Sequence, residues 1–199
     1  MNPIPERLER QVQFLIELDK LKSIYRQSYL SHEQRRENSG EHSWHVSIVA
    51  LVLLEYADEK VDVLKVLKML LIHDIVEIDA GDTYIYDPVG NEGKAEREIE
   101  AANRLFGMLP EEQAIEFRAL WDEFEGKETA EAKFAGSCDR IIPLLHNYYA
   151  QGHSWKEHGI AKEQVYQINS VIEDGSASLW KFAKELIEES IKKGYLQAQ

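Results

Sequence analysis

Apolar residues recur at steps of three and four along nearly the whole chain. Leu8, Val12, Leu15, Leu18 and Leu21 form one stripe, with Glu, Arg and Gln between them. Val46, Val49 and Leu53 form a second. Val63, Val66, Leu67, Leu70 and Leu71 fit the amphipathic-helix template residue for residue. The same periodicity predicts helices over residues 92–107, 111–125, 129–150, 161–172 and 177–193. Asp58, residues 107–110 and residues 173–175 read as breaks. No run alternates with period two, so no sheet is expected. The fold class this predicts is all-α. Residues 79–91, "DAGDTYIYDPVGN", are the one long irregular stretch, and loops of that length in small domains are often functional.

Two of these stripes run into polar residues instead of stopping. From Val63, steps of four, three and four lead through Leu67 and Leu70 to Asp74, with His73 beside it. Counting back from Leu53 through Val49 and Val46 leads to His42, with His45 alongside. The second helix is expected to start at Ser39 or Gly40, with Glu41 near its positive end. A third acid, Asp139, sits between Ala135 and Ile142 at the margin of an apolar face. A lone carboxylate in such a place is costly unless it is paired, protonated or bound to a metal. Two imidazoles and two carboxylates from three helices suit a divalent transition metal such as Mn, Co, Zn or Fe. The residues leave a second reading open, in which the acids pair with Arg26, Arg35, Arg36 or Arg140. His45 is a structural neighbour on this reading, or the ligand in place of His42.

Composition narrows the setting. A chain of 199 residues is one domain by length. The single cysteine, Cys138, excludes an internal disulfide framework. No apolar run approaches a membrane span, and "MNPIPERLERQVQ" lacks the layout of a signal peptide, so the expected location is cytoplasmic. A net charge of −13 repels polymeric nucleic acid and anionic membrane. It permits a small phosphorylated ligand where local positive charge is supplied.

The order His, His-Asp, Asp resembles the HD-domain metal-dependent phosphohydrolases. "ENSGEHSWHVSIVALVL" followed by "LIHDIVEIDAGD" is more closely similar to their 5′-deoxynucleotidase branch, over roughly residues 13–150. The resemblance implies a single HD-type helical domain over 1–199, with helices 161–193 packed on the 13–150 core. It implies one divalent ion (Co, Mn, Zn, Ni, Fe or Mg) held by His42, His73, Asp74 and Asp139, and a homodimer. It implies hydrolysis of nucleoside 5′-monophosphates to nucleoside and phosphate, by in-line attack of metal-bound hydroxide. Glu77 would be the catalytic acid or base, Asp82 would face the sugar or the leaving oxygen, and Arg26 would grip phosphate. Each also has a plain reading: a surface acid, a turn residue and a solvated helix end. Gln27 stands where the branch usually has tryptophan, which puts the sugar preference in question. No histidine lies between 74 and 139, which favours one metal over two. The alternatives are a phosphoanhydride or phosphodiester hydrolase of the same type, or a catalytically silent metal-binding module. Trp44, Trp155, Tyr148 and Tyr149 are expected in the core or an interface, and residues 151–159 as a polar loop.

Overall fold

The helices fall close to where the periodicity places them. The computed structural model describes residues 5–198. Residues 1–4 and 199, the ends of the expected domain and the start of the stretch read above for a leader, lie outside the described residues. The order is α1 (Glu6–Leu18), a 3-10 turn, strands β1 (Tyr25–Tyr29) and β2 (Arg36–Asn38), α2 (Ser39–Val52) and α3 (Val63–Ile72). A 3-10 segment (His73–Val76) leads into α4 (Glu77–Ala80). Then come α5 (Lys94–Phe106), α6 (Glu111–Gly126), α7 (Ala130–Tyr149), α8 (His153–Glu157), α9 (Lys162–Asn169) and α10 (Ala177–Lys192).

α7 is the axis of the molecule, packed by α2, α3, α6 and α10. Its buried Phe134, Ile141 and Ile142 meet Met69 and Leu70 of α3 and Leu105 and Phe106 of α5 in one apolar core. Four helix starts are capped by a polar side chain. Asp62 caps α3, Thr129 caps α7 and Ser176 caps α10, each side chain accepting from backbone N–H groups of the first turn. Asn38 caps α2 in a capping box, accepting from the Glu41 N–H at 2.9 Å while Glu41 accepts from the Asn38 N–H at 3.2 Å. α2 thus starts at Ser39, one of the two positions expected.

Four expectations are corrected. Strands β1 and β2 form an antiparallel ribbon, too short to leave a period-two signature in the sequence. Most of the first stripe is uncovered: Leu8, Val12 and Leu15 are exposed, while Leu18 packs against the core, Leu21 is buried, and the buried residue of α1 is Phe14, edge-on to Phe117. Residues 151–159 are not a plain polar loop, because α8 inserts Trp155 into the core. Trp44 and Tyr149 are not in the core: they are exposed, at 65% and 62%, which leaves the interface as the other place expected for them. Among the described residues no helix is long and apolar enough to cross a membrane.

Candidate metal centre

α3 stops at Ile72 and the chain tightens into a 3-10 turn. A 3-10 helix turns faster than an α-helix, so successive side chains leave the α3 face. As a result every residue from Ile72 to Glu77 is buried, two of them carboxylates. His73 turns its Nδ1–H onto the Leu70 carbonyl at 2.8 Å. That bond leaves Nε2 directed inward, where it is buried and has no hydrogen-bond partner. α2 delivers His42, fully buried, and α7 delivers Asp139. Pro143, four residues on, has no N–H to give the Asp139 carbonyl.

These three meet. His42 Nε2 lies 2.8 Å from Asp139 Oδ1, and His73 Nε2 lies 3.6 Å from the same oxygen. One ligand atom from each falls within a sphere that a metal ion can bridge. Asp74 sits at the edge of this group, its Oδ1 3.1 Å from His73 Nε2. Its other oxygen, Oδ2, accepts from Arg26 at 2.7 Å. Arg26 thus takes up the pairing that the sequence left open, while Asp74 keeps one oxygen toward the histidines.

The electrostatics carry the mark of a cation site. Burial and Arg26 work against charge on His42, yet its bonds to Asp139 and Glu37 outweigh them and push its pKa up to about 9. Burial would raise Asp139, but His42 and His73 hold it well below the usual carboxylate range. His42 thus lies between the acids Glu37 and Asp139, where positive charge is favoured. The orphaned Nε2 of His73 and the N, N, O donor set fit a divalent transition ion.

Glu77 and Asp82 lie on the open side. Glu77 is buried and accepts from Ser39 Oγ at 2.5 Å. Burial first, then the Asp74 charge, lift its pKa to about 8 against the pull of Arg26. Gly81, at φ 74° and ψ 155°, ends α4 with a backbone that side chains other than glycine resist. Its turn sends Asp82 back toward the site, where burial raises its pKa and Arg26 opposes the rise. Arg26 comes from β1 with its side chain only 12% exposed, and Asp74 and Glu77 hold it firmly charged despite burial. Arg26, Gln27, Asp82, Tyr84, Lys94 and Asn147 line one pocket, with Asp74, Glu77 and Asp139 at its floor.

Asp79 is a surface acid paired with Arg104. Sequence reasoning missed Glu37, which is 1% exposed and accepts from His42 Nδ1 at 3.2 Å. It fixes the tautomer that presents Nε2 to Asp139. Ser39 and His146 were also missed. Glu37 lies in a three-residue strand, where no periodicity exists to flag an inward acid.

The HD domain family profile matches residues 18–180. The chain belongs to the HD domain family. Among HD-domain relatives, 5′-deoxynucleotidase HDDC2 of Homo sapiens is 31% identical over 135 residues, 67% of this chain and 65% of that protein. The Bos taurus protein of the same name is 33% identical, over 67% of this chain and 64% of its own length. The chain thus spans just under two thirds of these relatives. A crystal structure from Magnetospirillum magnetotacticum MS-1, described as a predicted metal-dependent phosphohydrolase, matches with TM-score 0.93 and 52% identity. It covers 99% of this chain and 100% of that one. An HD-domain phosphohydrolase from Listeria innocua shares the fold, with TM-score 0.66 and 21% identity over 94% of this chain and 92% of its own.

Proposed function

We propose that this HD-domain chain is a metal-dependent phosphohydrolase that converts nucleoside 5′-monophosphates to nucleoside and phosphate. The observation that carries the proposal is the convergence of His42, His73 and Asp139 on one point, with the His73 Nε2 left without a partner. Asp74 completes the proposed ligand set through its free oxygen. A divalent ion held by His42, His73, Asp74 and Asp139 would supply Lewis acidity to a phosphoryl oxygen and lower the pKa of water toward neutrality.

The chain's own side chains do the rest. Arg26 binds the phosphate through the guanidinium N–H groups that its bond to Asp74 Oδ2 leaves available. Glu77 carries the proton. With a pKa near neutrality it takes a proton from the attacking water or returns one to the leaving 5′ oxygen. Asp82 faces the sugar or that same oxygen. Lys94, on the pocket wall, adds positive charge where an otherwise acidic protein needs it. The deoxynucleotidase relatives support a nucleotide substrate. Gln27 on the pocket wall is the position we assign to sugar preference.

We also place the enzyme in the cytoplasm, inactive on polymeric nucleic acid, and paired as a homodimer. Support for the pair comes from two uncovered apolar stripes with the same spacing: Leu8, Val12, Leu15 and Ile16 on α1, and Trp44, Ile48, Leu51 and Val52 on α2. Light scattering should give twice the chain mass, and a single-chain mass would refute pairing.

The decisive experiment strips the protein with chelator, restores Co, Mn, Zn, Ni, Fe or Mg one at a time, and screens a nucleotide panel. Inorganic phosphate released from 5′-monophosphates, only with metal restored, is the expected result. Pyrophosphate or a mononucleotide as product, or turnover that survives complete metal removal, would overturn it. Glu77→Gln should abolish turnover while retaining the metal.

A further inference from the structure

A second set of ligand atoms gathers behind the first, around Glu37. Its Oε2 accepts from His42 Nδ1, and its Oε1 lies 4.0 Å from His45 Nδ1. His146 Nδ1 approaches from α7, 3.8 Å from Oε2. The His45 and His146 rings stand 5.7 Å apart, centroid to centroid. Neither gap is a hydrogen bond, which for N–H···O closes at roughly 2.7–3.2 Å. His146 is 5% exposed, and its Nδ1 is buried with no hydrogen-bond partner at all. An orphan of that kind leaves its desolvation uncompensated unless something binds it.

Two imidazoles and a carboxylate are the donor set of borderline transition ions. Ligand atoms about 2.0–2.2 Å from a tetrahedral ion stand about 3.3–3.5 Å apart, and one atom from each of the three groups already lies within 4.8 Å of the others, so a shared ion requires them to close by at most about 1.5 Å. His45 is held on one side only, with its side chain 42% exposed. It gives the ion a way in and leaves a coordination position for water.

We propose that Glu37, His45 and His146 form a second divalent transition-metal site, of the zinc or cobalt class, separated from the His42–His73–Asp139 centre by a single carboxylate. Glu37 is then shared. One side of it orients His42, and the other holds the ion. Filling this site draws negative charge away from the His42 Nδ1–H and makes His42 a poorer ligand for the first ion. Excess metal should therefore weaken the first centre, and the sensitivity should depend on His45 and His146.

The test is metal binding and does not require the protein to be a hydrolase. Tag-free, chelator-stripped full-length protein is titrated with cobalt, followed by its visible absorption and by metal analysis after desalting. Wild type should hold one equivalent more than His45→Ala or His146→Gln, each of which loses more than about tenfold in affinity for it. Asp139→Ala should keep that equivalent. Equal stoichiometry and identical cobalt spectra in wild type and both histidine variants would overturn the proposal. So would loss of every equivalent in Asp139→Ala that still folds. His45 lies at the exposed rim, so His45→Ala decides alone if His146→Gln does not fold.

Discussion

α1 and the segment from Ile72 to Glu77 are inversions of each other. α1 leaves Leu8, Val12, Leu15 and Ile16 in solvent, while the short segment buries a histidine and two carboxylates. Side-chain chemistry alone would assign the opposite. The difference lies in what each segment meets. α1 lies on the outside and is fastened at few points, with Phe14 against Phe117 and Arg10 on the carbonyls of residues 107 and 108. The 72–77 segment is enclosed by α2, α5 and the end of α3. There charge pairing stabilises its polar side chains, while Ile72, Ile75 and Val76 join the apolar core.

The comparison breaks most severely at its polar end. Asp139→Ala removes the acid that holds both His42 and His73. Metal-free protein should lose about 3–5 kcal/mol, the cost of leaving a buried charge unpaired. Phosphate release and metal uptake at the first centre should vanish with it. Denaturant melts, metal analysis and the phosphate assay check the three effects separately.

At the apolar end, the corresponding loss belongs to Phe14. Phe14→Ala should cost about 3–4 kcal/mol in a thermal or urea melt, because it empties the one buried position of α1. A cost below about 1 kcal/mol would mean that α1 is held by its polar contacts instead.

Glu77 sharpens the comparison through pH. Its folded-state pKa, about 8, lies above the ordinary 4.5. Its contribution is therefore fully present below about pH 4.5 and is lost as the pH rises through 8. Glu77→Gln cannot ionise, so metal-free variant should exceed wild type by on the order of 2 kcal/mol near pH 8.5. The gap should close toward pH 4.5. Paired urea melts at the two pH values measure it, and a gap independent of pH would rule out the buried charge as its cause.

The smallest effect is expected on the exposed stripe. Leu15→Ser should change the stability of the single chain by less than about 0.5 kcal/mol, since the side chain is 63% exposed. If the stripe lies in the proposed pair, the same change should lower the mass seen by light scattering at low concentration.

Much of the site was legible early. Val63, Leu67 and Leu70 pointed to Asp74, and Leu53, Val49 and Val46 pointed back to His42, because a helical stripe carries its direction past the last apolar residue. Asp139 was legible for the same reason. Asp74's engagement with Arg26 was legible only as one of four open arginine pairings, since β1 leaves no period-two signal to say where Arg26 points. Glu37 was invisible because its three-residue strand carries no period to flag an inward acid, and His146 because its neighbour Glu37 lies far away in sequence. The α1 stripe misled because periodicity identifies an apolar face without saying whether anything covers it.

By itself, then, the sequence determined the helices, their caps and the inward aim of His42, Asp74 and Asp139. These follow from local forces: backbone hydrogen bonding, capping and a 3.6-residue period. Tertiary structure alone decided which apolar faces were covered, which cation met which acid, and that Glu37 stands between two groups of histidines. Those outcomes depend on desolvation and on contacts between residues tens of positions apart, and no local period encodes either.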